Sequence, residues 1–472
     1  MKAVNAIRMS GREVLPLVEG GKGVSVSTGV SAGYWAAAGG IGTVSIVNAD
    51  SYDADGNVIP QIYHGRTRRE RHEELIKYAI EGGITQVKLA HEISNGRGRI
   101  HANILWEMGN SERVISEVLE QTKGMLHGVT CGAGMPFRIS EIAAHYNVFY
   151  YPIVSSSRAF NALWRRSYFK NPDKLGGVVY EDPWRAGGHN GLSNSEDPLK
   201  PQSPLPRVIE LRKVMNHYGL QHVPIVMAGN VWWLSEWQDW LDNPEVGPIA
   251  FQFGTRPLLT QESPIPQAWK DRLRTLKKGD VYLNKFSPTG FYSSAVRNSF
   301  LKELQERSNR QVDYSNEPTG NLTTVYEIGN RGRCVYVSEV DRGRIHQWAE
   351  QGFVMPMRSP DSTLIFVTPE KAKEIMEDQT ACMGCLSMCN FSNWSQKGPD
   401  YTTGRRPDPR SFCIQKTLQT IAHASGPDAA EIIDHNLMFS GTNGWRFGAD
   451  PFYADGFVPT VKQLIDRIIT GY

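Results

Sequence analysis

Short apolar runs alternate with longer amphipathic stretches through the first half of the chain. Runs that are rich in apolar and β-branched residues predict buried strands. Eight such runs are present, at Leu15–Glu19, Thr43–Val47, Ile100–Leu105, His127–Cys131, Val148–Ile153, Gly176–Tyr180, Pro224–Met227 and Ile249–Phe253.

Helical periodicity fills the intervals between these strands. The segments Glu70–Glu81, Ser111–Lys123 and Leu205–Tyr218 each repeat apolar residues at the spacing of one helix face. The Ala- and Gly-rich segment Gly29–Val47 predicts a buried helix followed by a strand, because it has too few large apolar residues for a membrane span.

Repeated strand–helix units imply parallel strands joined by right-handed crossovers. Eight of them favour an α/β fold of the (β/α)8 type, a TIM barrel, over an open sheet. In such a barrel the active site gathers at the carboxyl ends of the strands.

The balance of charge argues against one broad class of partner. Lys and Arg total 51 and Asp and Glu total 49 in 472 residues, so the formal net charge is +2. This near-neutral chain gives no support to nucleic acid as a partner. The N-terminus lacks a basic segment followed by an apolar core, so no secretory signal is expected. The sequence predicts a soluble, cytoplasmic protein with no membrane partner.

Glycines and polar residues follow several of the predicted strands. In the most informative segment, Tyr180–Gly191, a glycine pair and His189 come shortly after a strand. Glycine lets the backbone approach a flat or anionic ligand, and a histidine there can act on a substrate lying over that ligand. Other strand ends carry Gly20-Gly21-Lys22, Asn103, Gly229-Asn230 and Gly254-Thr255.

The order and spacing of these pieces resemble the FMN-dependent nitronate monooxygenase family, which includes flavin-dependent enoyl-acyl-carrier-protein reductases. The resemblance runs from about Leu15 to about Phe300, with a different flavin barrel as the main alternative. The matching pieces are Pro16–Gly20, Ala38–Thr43, Ala186–Gly191, Pro224–Gly229, Phe251–Arg256, Ser287–Gly290 and Ala295–Asn298.

The resemblance implies a bound FMN. Its phosphate is expected after the seventh and eighth strands, where barrels commonly bind phosphate through backbone N–H groups. His189 is the predicted general acid or base. The residues expected to bind FMN are Gly21, Lys22, Gly23, Asn103, Gly187, Gly188, Ala228, Gly229, Asn230, Gln252, Gly254 and Thr255.

The sequence departs from the family pattern in two places. Gly20-Gly21-Lys22-Gly23 replaces a Gly-Pro-Met-like turn after the first strand, and Asn230 replaces the second glycine of an Ala-Gly-Gly turn. Asn tolerates a left-handed turn, so the phosphate loop can survive. Lys22 is expected either to stabilise the anionic reduced flavin or to be a surface lysine.

Four of the six cysteines lie in the C-terminal third. Cys382, Cys385 and Cys389 have Cys-x2-Cys-x3-Cys spacing, and Cys413 follows. Cytosolic proteins rarely use such clusters as disulfides, and the spacing suits a [4Fe–4S] cluster. It is similar to the [4Fe–4S] segment of flavin barrels related to 2,4-dienoyl-CoA reductase, although the gap to the fourth cysteine is longer here. Structural zinc and free thiols are the alternatives.

Two histidines are alternative ligands for this metal site, and the remaining two cysteines lie outside it. Cys413 is the weakest of the four ligands, with His423 or His435 as possible substitutes. Cys131 and Cys334 stand alone and are expected to be buried small apolar residues.

The chain is predicted to contain three regions. They are an FMN-binding barrel at 1–300, a linker and small appended region at 301–372, and a cysteine-cluster region with a terminal helix at 373–472. The expected elements beyond the barrel are strands at Val325-Tyr326, Cys334–Val337 and Leu364–Val367, helices at Pro369–Asp378 and Thr460–Ile469, and an irregular loop at Lys397–Arg410.

These features predict an FMN-dependent oxidoreductase, nitronate monooxygenase-like or ene-reductase-like, that acts on a small molecule or an acyl thioester. An iron–sulfur cluster favours a reductase fed by an electron-donor protein or NAD(P)H, or an oxygenase whose flavin a partner reduces. A homo-oligomer is compatible with this prediction. The alternatives are a flavin-free, zinc-stapled binding protein on a barrel scaffold and a flavin reductase acting on uridine in RNA.

Overall fold

Eight parallel strands close into a barrel in the computed structural model, which describes residues 2–329, 332–398 and 401–471. Each strand pairs with its neighbours in sequence, and the last pairs with the first. The predicted strands and the (β/α)8 fold are confirmed. The strands are β1 (Leu17–Glu19), β2 (Ile41–Ser45), β3 (Arg99–Leu105), β4 (Gly128–Gly132), β5 (Phe149–Val154), β6 (Val178–Glu181), β7 (Ile225–Ala228) and β8 (Ile249–Phe253).

The barrel strands place apolar residues on both faces, as expected for parallel strands covered by helices. Val18, Ile41 and Val226 belong to the cluster inside the barrel, whereas Leu17 and Val44 belong to the core between strands and helices.

An N-terminal hairpin, Ile7–Met9 and Arg12–Val14, contributes Met9 and Val14 to the interior cluster. Its Ser10 Oγ lies 2.9 Å from His101 Nε2, near the start of β3. The hairpin therefore covers the amino ends of the strands and leaves the carboxyl ends for a site.

Helices surround the barrel between successive strands. Those up to β8 are Gly29–Ala37, Arg68–Ser94, Ser111–Gln121, Ile139–His145, Ser157–Arg166 and Pro204–His217, with 3-10 turns at Tyr168–Lys170, Pro172–Lys174 and Leu234–Trp237. The predicted buried helix after Gly29 is confirmed. Among the described residues, no helix is both long and apolar enough to cross a membrane.

The helix Arg68–Ser94 is much longer than the predicted Glu70–Glu81. A capping box formed by Thr67 and Glu70 starts it, and Asn95 in a left-handed conformation ends it. The helix continues through the glycine pair at its centre. A Cβ on Gly82 would lie 1.9 Å from the carbonyl oxygen of Ala49. Glycine is required there for close packing.

The rest of the chain adds small sheets and helices. One antiparallel sheet joins Gly188–His189, Ser293–Val296 and Val281–Asn284, a second joins Gln311–Asp313, Thr363–Val367 and Met355–Arg358, and Thr324–Ile328 pairs with Arg333–Val337. The helices are Gln267–Arg274, Ser299–Asn309, Glu339–Glu350, Pro369–Thr380, Ile414–Ala422, Ala429–Asp434, Arg446–Ala449 and Val461–Thr470, with 3-10 turns at Arg256–Leu259 and Pro451–Gly456.

The elements predicted in this part of the chain are confirmed. The terminal helix Val461–Thr470 buries Val461, Leu464, Ile465 and Ile468 in the barrel's outer core. The described residues of Lys397–Arg410 contain no helix or strand.

Candidate active site

A cavity of about 220 Å³ opens at the carboxyl ends of the barrel strands. His189 and all the residues predicted to bind FMN line it. They are Gly21, Lys22 and Gly23 after β1, Asn103 in β3, Gly187 and Gly188 after β6, Ala228, Gly229 and Asn230 at β7, and Gln252, Gly254 and Thr255 at β8. Residues chosen from separate strand ends therefore meet in one place.

The loop after β7 contains two left-handed residues, and the loop after β8 leaves room at the cavity wall. Gly229 has a φ of +99° and Asn230 a φ of +61°, so Asn230 adopts the left-handed conformation expected of it. A Cβ on Gly254 would meet no atom within 4 Å. The wall at Gly254 thus faces open space.

Lys22 is buried at the edge of the cavity. Its side chain is 6% exposed and forms an ion pair with the fully buried carboxylate of Glu19, which also accepts a hydrogen bond from Ser31 Oγ. The expectation of a surface lysine is therefore wrong. The lysine is held by its partner and still contributes to the lining.

His189 lies in a chain of hydrogen-bonding side chains. Its Nε2 lies 2.6 Å from Ser287 Oγ, which lies 2.9 Å from Thr289 Oγ1. The ring of Phe439 packs edge-on against the imidazole at 5.6 Å. Burial lowers the pKa of His189 to about 4, so the ring is neutral at pH 7.

Glu181, at the end of β6, is a lining residue that sequence reasoning missed. Burial, and then the nearby charge of Asp182, raise the pKa of the Glu181 carboxyl to about 8. Asp182 differs, because it accepts hydrogen bonds from the N–H groups of Trp184 and Arg185 and pairs with the Arg185 guanidinium at 2.8 Å. Glu181 is therefore protonated and neutral at pH 7, whereas the carboxylate of Asp182 is paired with the Arg185 guanidinium.

Arg256 is a buried cation beside the loop after β8. Its Nη1 donates to the carbonyl of Trp232, its Nε donates to Tyr453 at 3.2 Å, and the guanidinium stacks 3.7 Å over Trp233. Its Nη2 has no hydrogen-bond partner among the described residues. A buried charged donor is costly to leave unpaired, so this nitrogen is a candidate donor to a bound anion.

The C-terminal region forms the roof of the cavity, which the sequence did not reveal. Gly441 donates its N–H to Thr255 Oγ1 at 2.8 Å. A Cβ on Gly187 would lie 2.7 Å from that same Gly441 nitrogen, so the first glycine of the pair accommodates the protein's own backbone. The other roof residues are Cys385, Leu386, Ile414, Gln415, Leu418, Ile421, Phe439, Ser440 and Asn443. The run Ser440-Gly441-Thr442-Asn443-Gly444 is the one sequence signal that could have indicated them.

The four predicted metal ligands pack in one apolar cluster. Cys382 and Cys389 are buried, and Cys385 and Cys413 are partly buried. Even so, no group of three or more His, Cys, Asp or Glu side chains in the described ranges is placed to hold a metal ion. The predicted cluster and its zinc alternative thus have no metal site in this structure to support them.

The other candidate residues of the metal site lie in different surroundings. His423 pairs with Asp50 at 2.9 Å, and this hydrogen bond raises its pKa. His435 is exposed and lies 3.0 Å from the carbonyl of Glu431. Cys131 is buried as predicted, but Cys334 is exposed. Cys334 lies on the solvent face of a two-stranded hairpin, whereas Val335 is buried, because successive strand residues face opposite sides.

Comparison with solved structures supports the barrel. The chain is similar to FabK from Thermotoga maritima, with a TM-score of 0.51 and 13% identity over 96% of this chain and 91% of that one. It is similar to the enoyl reductase domain of MlnA from the macrolactin biosynthesis cluster of Bacillus amyloliquefaciens, with a TM-score of 0.53 and 11% identity over 97% of this chain and 93% of that one. No family model and no curated protein match the sequence. At these identities, the likeness shows that the chain shares the barrel fold of these proteins.

Proposed function

We propose that this protein is an FMN-dependent oxidoreductase of the enoyl reductase type. One observation carries the proposal: the residues that the family resemblance assigned to FMN, from separate strand ends, line a single cavity together with His189. The likeness in fold to an enoyl reductase domain, which extends over 97% of the chain, supports the choice of reaction.

The residues present fit the cofactor at its phosphate end. Backbone N–H groups of Gly229, Asn230, Gly254 and Thr255 would hold the phosphate, and Arg256 Nη2 would gain the anion that it lacks. Lys22 and Asn103 would lie along the remainder of the flavin as parts of the same lining. When bound, FMN supplies hydride transfer.

His189 and Glu181 divide the proton chemistry between them in this proposal. A neutral imidazole can release a proton from one nitrogen while it takes a proton from solvent at the other, so His189 transfers a proton to the substrate through the hydroxyl chain of Ser287 and Thr289. Glu181, neutral below about pH 8, donates a hydrogen bond to the oxygen of an acyl thioester as negative charge develops there.

The cofactor can be tested directly. Purified protein should contain about one FMN per chain, released by heat and identified by chromatography. Stoichiometric FAD, or no flavin after reconstitution with FMN, would refute the proposal. A colourless preparation that contains zinc would instead favour a binding protein.

The reaction can be tested once flavin is bound. Under argon, reduced enzyme should be reoxidised by a 2-enoyl thioester, with formation of the saturated thioester. Reoxidation by oxygen alone, with turnover of a nitronate substrate in air and none of the enoyl thioester, would replace the reductase with an oxygenase.

A further inference from the structure

We propose that the helix Ile414–Ala422 binds the acyl chain of the substrate along one of its faces and limits the length of that chain. The inference rests on the proposed function and names the substrate class, which is medium-chain 2-enoyl thioesters. The helix belongs to the roof of the cavity. Four of its nine residues line the cavity, namely Ile414, Gln415, Leu418 and Ile421.

The four lining residues share one face of the helix. At 100° per residue they fall within an arc of about 120°. Polar contacts hold other sides of the helix. Lys416 Nζ pairs with Asp378 Oδ1 at 2.7 Å, and Gln419 Nε2 donates to Gln61 Oε1, in the loop after β2, at 2.7 Å. The helix is therefore fixed from outside and presents a mainly apolar wall to the cavity.

This wall runs from the reactive end of the cavity to its far end. Ile414 belongs to the same apolar cluster as Phe439, and the ring of Phe439 lies 5.6 Å from that of His189. Ile421 belongs to a different cluster, together with Leu258, which also lines the cavity. A substrate whose double bond lies near His189 can therefore extend its chain along the helix toward Leu258.

The distance between the two ends of the wall sets the length of the chain. Ile421 lies seven residues after Ile414, which corresponds to about 10 Å along a helix axis. An extended chain covers roughly 3.5 Å in three bonds, so about eight or nine bonds fit along the wall. An acyl group of about eight carbons would thus cover the wall from end to end.

Gln415 gives the wall one polar end. The residue is 2% exposed, and its Nε2 has no hydrogen-bond partner among the described residues. A buried amide without a partner is costly, so an oxygen of a bound ligand would stabilise it. Gln415 follows Ile414 at the reactive end, whereas Leu418 and Ile421 farther along are apolar. The thioester group would therefore lie at the Gln415 end and the hydrocarbon chain beyond it.

The subsite is tested with saturated thioesters, which bind without turnover. S-acyl pantetheines of four, eight and twelve carbons are titrated calorimetrically into the purified full chain. Each buried CH₂ contributes up to about fourfold in affinity, so the eight-carbon compound should bind roughly 10–100-fold more tightly than the four-carbon compound. The twelve-carbon compound should bind no more tightly than the eight-carbon compound, because its end would extend past the wall.

Two variants should shift the preferred length in opposite directions. Leu418→Trp blocks the wall midway and should lower the ratio of the eight-carbon to the four-carbon affinity to near unity. Ile421→Ala opens the far end and should make the twelve-carbon compound the tightest ligand. Thr420→Trp, on the exposed side of the same helix, is the matched control and should keep the wild-type ratio.

Equal affinities of the wild type for all three compounds, or a wild-type ratio in Leu418→Trp, would overturn the inference. If Leu418→Trp lost FMN but kept the wild-type ratio, the helix face would cover the flavin itself. FMN content is measured on the same samples, so the two proposals can fail separately. FMN with turnover of a 2-enoyl thioester but no dependence on chain length would refute the subsite alone. A length preference in protein that binds no FMN would support the subsite and refute the proposed function alone.

Discussion

The loops at the strand ends of the barrel and the C-terminal region that covers them build the cavity in different ways. The barrel contributes mainly backbone and small residues, such as Gly229 and Gly254, at positions fixed by where each strand stops. The C-terminal region contributes a roof, through Phe439 and Gly441, and the cysteine loop. The barrel end resembles what many barrels offer a phosphorylated cofactor, whereas the roof is supplied by the C-terminal region.

This difference suggests separate tasks: the barrel loops bind the cofactor, and the residues near the roof control the reaction. Strand-end loops are held rigidly by the barrel and suit a cofactor that must be placed accurately. The roof contacts these loops through the hydrogen bond from Gly441 to Thr255 and the packing of Phe439 on His189, among other contacts. We expect changes in the barrel loops to alter flavin binding and changes near the roof to alter turnover.

The largest effect is expected at His189, where barrel and roof meet. His189→Ala should retain FMN and lose turnover by roughly 10²–10⁴-fold, the usual contribution of a general acid or base. Single-turnover reoxidation of reduced enzyme by the enoyl thioester measures the loss. A variant with normal flavin content and a normal rate would leave His189 with a structural role only.

The sequence predicted the barrel side well because its signals are local. A strand end followed by glycine identifies itself within a few residues, and Asn230 could be assigned a left-handed turn from its side chain alone. The roof could not be predicted in this way, since Gly441 and Thr255 are 186 positions apart. Glu181 was missed for a related reason: its raised pKa depends on burial by the assembled cavity.

The next largest effect is expected at Glu181, where substitution should lower the rate and change its dependence on pH. Glu181→Ala should lower the rate by roughly 10²–10³-fold, the effect of removing one oxyanion donor. Because burial raises its pKa to about 8, the donor is present below that pH, and wild-type activity should fall as pH rises through it. Glu181→Gln keeps a donor that does not titrate, so it should retain most of the rate and lose this alkaline limb. An unchanged limb in Glu181→Gln would assign the titration to another group.

A substitution at Arg256 tests the contribution of the barrel loops to FMN binding. Arg256→Lys keeps a positive charge but removes the planar fork that carries Nη2. Loss of one charge-assisted hydrogen bond should weaken FMN binding by roughly 10–100-fold. Equilibrium dialysis of the apoprotein measures this, with Arg446→Lys as the control, because Arg446 also lies on the Trp232 ring but pairs with Glu236 outside the cavity. Equal FMN affinity in both variants would remove Arg256 from the phosphate site.

The smallest effects come from adding one methyl group on either side of the boundary between barrel and roof. At Gly187 the new Cβ would lie 2.7 Å from the backbone nitrogen of Gly441, and backbone cannot move aside cheaply. Gly187→Ala should therefore destabilise the apoprotein by roughly 1–3 kcal/mol, the usual cost of overpacking, seen as a lower Tm. At Gly254 the same methyl meets open space, so Gly254→Ala should keep apoprotein stability within about 0.5 kcal/mol. Its methyl group would instead enter the phosphate site and lower FMN affinity. If Gly254→Ala bound FMN as tightly as the wild type, the phosphate would have to lie elsewhere in the cavity. If Gly187→Ala left Tm unchanged, the roof would not rest on the barrel at this point.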